Sequence, residues 1–395
     1  MRLHKPEYYE NFFIMGGHLA DDLCQGALPA VLAFMYQEGR LDSYADVALL
    51  VMFTTIVNAV AQPVTGLLAD KKPRPWLMWV GMLLAGAGVM FLGLIESFPL
   101  MCLLIAINGV GVAAFHPAAG KMANIFAGSR VGRGMSIFSV GGNIGYALGP
   151  LYFTAFYMVL GLNATLLLIV PGVLMTGFFI ARSRKYAVYA RRDHRHRAAR
   201  QSKEGLKDNY RGTLLLLLLV FGRSAAFASL VTFLPLYFMH VLGEPEEWST
   251  LSVTVLGIAG AIATFCGGGF ADRYGFTQWT RFVSVMACPF VLGFIFTDNA
   301  MLALLLLVGY SVFYYASMSP IVVIGQKLLP LHVGMATGIT VGLGISFGGL
   351  TAPLLGSLGD HYGLTATMQA IVALAFLAAL MSFLVPVVNR PRRTE

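Results

Sequence analysis

The sequence predicts an all-α membrane protein, with twelve transmembrane helices in two pseudo-symmetric six-helix bundles. Three observations carry this. The first is composition. Of the 395 residues, 57% are hydrophobic and only 12% charged, with a mean hydropathy of +0.73, whereas soluble domains carry about 25% charged residues. No single soluble core hides that much apolar surface, so lipid must be the solvent. The second is the pattern of the apolar runs. They are continuous rather than alternating, which argues against a β-barrel. A crossing takes about 20 residues, so this length holds about a dozen helices with short loops. The third is an internal repeat. Gly66-Leu-Leu-Ala-Asp70-Lys71 returns 202 positions later as Gly268-Gly-Phe-Ala-Asp272-Arg273, and Val131-Gly132 returns at the same offset as Val333-Gly334.

The spans fall near 11–36, 45–68, 76–96, 99–125, 133–158, 163–181, 212–240, 248–270, 279–297, 300–326, 333–356 and 364–387. The first holds an anomaly. Phe12–Met35 is long enough to cross, yet His18, Asp21 and Asp22 lie near its middle. An ionised group there costs about 2.5–3.5 kcal/mol on insertion scales. Successive helical residues turn by about 100°, so His18, Asp21, Asp22, Gln25 and Pro29 share one face. That stripe must face the bundle interior or a watery cavity. One reading is that an acid pairs with a base to fix helix packing. The other is that a carboxylate loads a proton on one side and unloads it on the other as access to water alternates. Two adjacent acids and a histidine favour the second. Either acid can be the carrier, since Asp22 lies one turn from His18 and Asp21 one turn from Gln25. The segment is too long for a signal-peptide core and lacks a small-residue cleavage site, so it is expected to stay as a span.

In the fourth span, His116 precedes Pro117, which removes a backbone bond and bends the helix. A histidine, with an ordinary pKa of about 6.5, suits proton traffic at a bend. A buried histidine that hydrogen-bonds a neighbouring helix is the alternative. The fifth span carries Gly141, Gly142, Gly145, Gly149 and Pro150, and the eleventh Gly342, Gly344, Gly348, Gly349 and Pro353. Small residues four apart let helices approach closely, so these read as packing and hinge positions without a ligand. In the seventh span, Arg223 is a fixed positive charge. By the repeat it is the counterpart of Asp21. It serves as counter-ion to Asp21 or Asp22 or holds an anionic substrate; alternatively it snorkels to the cytoplasmic interface, twelve residues past Arg211. Tyr310, Tyr314 and Tyr315 of the tenth span offer a substrate aromatic surface and hydroxyls, or simply pack.

Loop charge orients the chain. Connections after the even-numbered spans hold Lys71, Lys72, Arg74, Arg130, Arg273, Arg281 and Lys327, and the run 182–211 has eleven Lys/Arg against three acids. The other connections are acidic, with Arg40 their only Lys or Arg. This alternation puts both termini in the cytoplasm, and Arg390, Arg392 and Arg393 agree. The net charge of +8 therefore marks cytoplasmic loops rather than a nucleic-acid surface. Asp70 and Asp272, each at a cytoplasmic helix end beside bases such as Arg74 and Arg273, read as latches for one conformational state, loop solvation being the alternative. The four cysteines, Cys24, Cys102, Cys266 and Cys288, lie in apolar runs without metal-ligand spacing and read as small buried hydrophobes. No metal site is expected. No Gly-x-x-x-x-Gly-Lys-Ser/Thr motif is present, so ATP is not the expected energy source. No nucleophile–base set points to an enzyme.

At the level of motifs, Gly66-x-x-x-Asp70-Lys71-x-x-Arg74 resembles the signature loop of the major facilitator superfamily, with an echo from Gly268 to Gly275. His18-Leu-x-x-Asp22, Gln62-Pro-Val-x-Gly66, Phe115-His116-Pro117, Ser136-Ile-Phe-Ser-Val-Gly-Gly-Asn143-Ile-Gly145, Leu148-Gly149-Pro150 and Gln326-Lys-Leu-Leu-Pro330 resemble its fosmidomycin-resistance branch. The resemblance spans nearly the whole chain. It implies a bacterial inner-membrane exporter driven by inward proton movement, with the first, fourth, seventh and tenth helices lining a central cavity between parallel halves. Three departures stand out. Pro73 replaces the usual glycine, Gly149-Pro150 lacks the trailing glycines of the antiporter motif, and Ile105-Ala-Ile-Asn108-Gly109 replaces Arg-x-x-Gln-Gly. The arginine linked to proton coupling in many drug antiporters is thus absent. Either Arg223 or His116 takes its place, or coupling works differently here.

The expected organisation is an N-terminal bundle (1–181), a basic cytoplasmic linker (182–211) and a C-terminal bundle (212–395). The expected function is proton-coupled export of a small drug-like or anionic molecule by alternating access. A symporter or facilitator importing a small organic solute, and a membrane sensor without flux, are the alternatives. Asp21, Asp22, His18, His116 and Arg223 form the expected proton-coupling set. Gln25, Arg223, His116, Asn143, Tyr310 and Tyr314 form the expected substrate set. The expected partners are substrate, protons and bilayer. No cofactor is expected beyond the proton gradient, and the chain is read as a monomer.

Overall fold

The computed structural model describes residues 8–388, so Arg390, Arg392 and Arg393 of the charge argument lie outside the described residues. Among the described residues the regular structure is helical throughout: α1 (Glu10–Gln37), α2 (Tyr44–Lys71), α3 (Leu77–Met90), α4 (Phe98–Ala127), α5 (Val131–Leu160), α6 (Ile169–Glu204), α7 (Tyr210–His240), α8 (Glu246–Tyr274), α9 (Phe276–Phe294), α10 (Ala300–Tyr315), α11 (Met318–Leu328), α12 (Val333–Gly338), α13 (Gly344–Tyr362) and α14 (Leu364–Leu384). These are the twelve spans with two of them broken. The tenth divides into α10 and α11, and the eleventh into α12 and α13 around a π-helical turn at Ile339–Leu343.

Among the described residues, eight stretches are long and apolar enough to cross a membrane, and one of them, Val131–Ser202, runs through both α5 and α6. The remaining crossings are α1, α9 and the α12–α13 pair. The polar stripe of α1 is what lowers its apolarity, despite 28 residues of helix.

Helix ends follow local chemistry. Ser43 and Asp46 cap α2 reciprocally. Asn209 caps α7 by accepting from the Gly212 amide at 2.8 Å. Gly205, at φ +62°, ends α6 in the left-handed conformation that glycine adopts without strain. This stop comes later than the sequence suggests. The basic run from Arg182 continues α6 to Glu204 instead of forming a loop, because its many alanines and arginines are strong helix formers.

The chain forms two compact units. Unit 1 gathers the residues up to Gly128 with Ile137–Asp208 and Leu329–Gly342; unit 2 gathers Ser129–Ser136, Asn209–Leu328 and the residues from Leu343 on. In unit 1, α4 packs against α1, α2, α3 and α12, around an apolar core that includes Val31, Leu32, Met35, Met101, Ile105 and Phe153. In unit 2, α7 packs against α13 and α14, and α10 against α8 and α9. Leu230, Leu234, Phe238, Phe294, Leu307 and Ile371 lie at its centre. Of the four cysteines, Cys24 and Cys288 are buried as expected, whereas Cys102 is half-buried and Cys266 exposed. A side chain on the outer face of an apolar helix is exposed in this sense while still meeting lipid.

Candidate functional site

The site begins with a missing side chain. In unit 1, a Cβ added at Gly145 would stand 2.3 Å from the Leu19 carbonyl oxygen, and one at Gly141 would stand 2.3 Å from that of Met15. So α5 and α1 meet backbone to backbone, as the small-residue stripe predicts. This approach brings the Phe138 carbonyl to α1, where it lies 2.7 Å from His18 Nδ1. On α4, His116 Nδ1 lies 3.0 Å from the Val112 carbonyl. A carbonyl oxygen only accepts, so each Nδ1 carries the hydrogen. The Nε2 atoms of His18 and His116 then face each other at 3.0 Å. Two bare lone pairs do not bond, so this geometry calls for a proton or another cation shared between the rings.

Asp22 faces that pair with both oxygens. Its Oδ2 is 3.2 Å from His18 Nε2, and its Oδ1 is 3.2 Å from His116 Nε2. Gln25 donates to Oδ1 at 2.8 Å, and Asn58 of α2 donates to Gln25 Oε1 at 3.3 Å. Asp21 is treated differently. Its Oδ2 is 3.6 Å from His116 Nδ1, and among the described residues neither carboxyl oxygen has a hydrogen-bond partner. Asp21 and His116 are each 1% exposed. A buried polar group left unpaired costs about 1–3 kcal/mol, and more if charged. Gly142 walls the cluster: a Cβ there would stand 2.6 Å from Asp22 Oδ2 and from His18 Nε2. Asn143, its neighbour, is half-buried on α5. The donor set His18, Asp22 and His116 is also one that a metal ion fits by residue type.

In unit 2, the buried Arg223 donates to the Tyr314 carbonyl at 2.9 Å, and its guanidinium lies 4.0 Å from the centre of the Tyr314 ring. Phe227 stacks on Tyr314 with centroids 4.0 Å apart, and Tyr310 lies 6.2 Å from Tyr314. Arg223, Tyr310 and Tyr314 line a cavity of about 30 Å³, room for a water or two. The substrate residues expected in the seventh and tenth spans are thus brought together around an aromatic stack.

The predicted latch aspartates hold backbone amides. Asp70 accepts from the amides of Gly334 and Met335, each at 2.9 Å, and Lys121 donates to the same carboxylate at 2.8 Å. Asp272 accepts from the amides of Gly132 and Arg133, each at 2.9 Å. The two capped pairs, like the two aspartates, are 202 positions apart. The carboxylates make these contacts, whereas Arg74 supplies its carbonyl to the turn before α3 and Arg273 lies over the Tyr274 ring.

The sequence reading does not single out Asn58 or Lys121. Both are polar side chains inside apolar spans, and that signal alone could have raised them. Nor does it reach the Phe138 and Val112 carbonyls, for which residue type carries no signal.

Residues 14–348 match the Major Facilitator Superfamily. The chain belongs to that superfamily. It is 27% identical over 386 residues to the fosmidomycin resistance protein of Escherichia coli (strain K12), covering 95% of this chain and 93% of that protein. It is 29% identical over 376 residues to the uncharacterized MFS-type transporter YfnC of Bacillus subtilis (strain 168), covering 93% and 90%. Among solved structures, it resembles the E. coli fucose:proton symporter FucP with a TM-score of 0.74 at 13% identity, covering 97% of this chain and 100% of that one. It resembles the proton:xylose symporter XylE with a TM-score of 0.74 at 14% identity, covering 96% and 97%. Family and fold make the chain a multi-pass membrane transporter and not an enzyme.

Proposed function

We propose that this transporter is a proton-coupled exporter of a small drug-like or anionic molecule, working by alternating access in the bacterial inner membrane as a monomer with both termini cytoplasmic. The observation that carries the coupling is the pair of imidazole Nε2 atoms 3.0 Å apart, each ring fixed by a carbonyl on its other nitrogen. That arrangement needs a proton or its equivalent, and Asp22 balances the charge. Asp21, beside His116 without a hydrogen bond, is the acid free to take a proton from one side and return it to the other. The proton gradient supplies about 2.3 kcal/mol per charge for each 100 mV, plus the pH term. Arg223 with Tyr310 and Tyr314 serves the substrate. Asp70 and Asp272 hold one state of the cycle through the backbone amides they cap. The 1–181 and 212–395 bundles are the moving parts, and fosmidomycin is the first compound to test, from the name of one relative.

The test uses proteoliposomes with an acidic lumen and external fosmidomycin. Antiport predicts accumulation of the compound while the lumen alkalinises, whereas symport predicts neither. Asp21→Asn is expected to abolish dependence on the imposed gradient while binding persists. Full proton-driven flux in that variant would sink the coupling assignment.

A further inference from the structure

We infer that His18, His116 and Asp22 form a binding site for a divalent transition-metal cation of the zinc class. Three features of the geometry point to a ligand set rather than to packing alone. First, the two Nε2 atoms lie 3.0 Å from each other, with Asp22 Oδ2 3.2 Å from that of His18 and Asp22 Oδ1 3.2 Å from that of His116. Two ligand atoms of one tetrahedral zinc, with bonds of about 2.0–2.1 Å, lie about 3.3 Å apart. The donors therefore stand a few tenths of an ångström from metal-ligand spacing.

Second, the outer contacts are those of ligating histidines. A metal-bound imidazole donates its other N–H to a carbonyl or carboxylate, which fixes the ring and its tautomer. Here each Nδ1 lies within hydrogen-bond distance of a backbone carbonyl, Phe138 at 2.7 Å and Val112 at 3.0 Å. Asp22 is oriented in turn by Gln25 at 2.8 Å. Third, the neighbouring Asp21 adds a second carboxyl, and two carboxylates match the formal charge of one divalent ion. Two imidazoles with one carboxylate suit zinc, cobalt, nickel or copper, not magnesium or calcium. Three protein ligands leave a position open. An ion held there ties α1 to α4, because His18 and Asp22 belong to one helix and His116 to the other.

The inference does not depend on proton coupling. Proton-driven transport without metal binding would overturn this inference alone, and metal binding without proton-driven transport would overturn the coupling alone. The test uses the purified, untagged full-length chain with Co²⁺ as a spectroscopic probe and Zn²⁺ as its competitor. Wild type is expected to bind one Co²⁺ per chain with the intense visible bands of tetrahedral coordination, which Zn²⁺ removes. His18→Gln and His116→Gln are each expected to lose the bands, while the double variant His194→Ala, His196→Ala in the basic run keeps them. Gln25→Leu, which removes the orienting contact and the Asn58 bond behind it but no ligand atom, is expected to weaken binding by about 10–100-fold. Zinc-edge X-ray absorption on wild type needs no variant, and two imidazole scatterers are expected. No bands in wild type, bands that survive both histidine variants, or a zinc shell without imidazole would each overturn the site.

Discussion

Positions 21 and 223 are equivalents in the repeat, yet their surroundings have opposite chemistry. Around Asp21 in unit 1 stand a second acid and two imidazoles, all buried. Around Arg223 in unit 2 stand a backbone carbonyl and three aromatic rings. The same offset sets His18 against Val220, Asp22 against Ser224 and His116 against Met318. Duplication thus preserves the helices while the side chains diverge. One copy holds groups whose charge can change, and the other holds a guanidinium that stays charged. A cycle that binds and releases a proton needs only one copy of the changeable set.

Asp22→Asn should break the comparison most severely. Removing one partner of a buried charged set costs about 3–5 kcal/mol. Purified Asp22→Asn is therefore expected to melt well below wild type and to transport nothing. An unchanged melting temperature would mean that the imidazoles are not held by that charge. Next come the two amide-capping aspartates. Hydrogen bonds to a charged group are worth about 1.5–3 kcal/mol, and Asp70 has Lys121 in addition to its two amides. Asp70→Asn should therefore destabilise more than Asp272→Asn, as read by thermal unfolding of the two variants side by side. Equal losses would remove Lys121 from the account.

Gly142→Ala is expected to cost about 1–3 kcal/mol by overpacking and to disturb the histidine NMR signals of the cluster. Gly177→Ala, where an added Cβ meets nothing within 4 Å, is its control. The smallest effect belongs to Arg223→Lys. It keeps the charge and loses the planar stack on Tyr314, a contribution of about 0.5–2 kcal/mol. Weaker substrate binding with an unaltered pH profile of transport is expected there. A shifted pH profile would make Arg223 part of the titrating set and collapse the contrast between the two regions.

Much of the fold is legible in the sequence, because lipid imposes simple rules. Continuous apolar runs mark crossings, and the repeat doubles each piece of evidence. The stripe of His18, Asp21, Asp22 and Gln25 follows from helical periodicity, as does the glycine seam of α5. What the sequence does not carry is long-range partnering through the backbone. Asp70 is visible as an acid at a helix end, but its partners are amides 264 and 265 positions away, and an amide has no residue type. The fixed tautomers of His18 and His116 are hidden for the same reason. The continuation of α6 to Glu204 is missed because charge suggests a loop more loudly than helix propensity suggests a helix.

Helix α5 has one further consequence. Its first turn is gripped by Asp272 through the amides of Gly132 and Arg133. Six residues beyond Gly132, about 9 Å along the axis, the carbonyl of Phe138 holds His18 Nδ1. A rod whose backbone carries the acceptor of an imidazole behaves as a camshaft. If α5 turns about its axis, the imidazole loses the acceptor that decides which of its nitrogens bears hydrogen. Rotation of one helix would then arrive at the buried cluster as a change of tautomer.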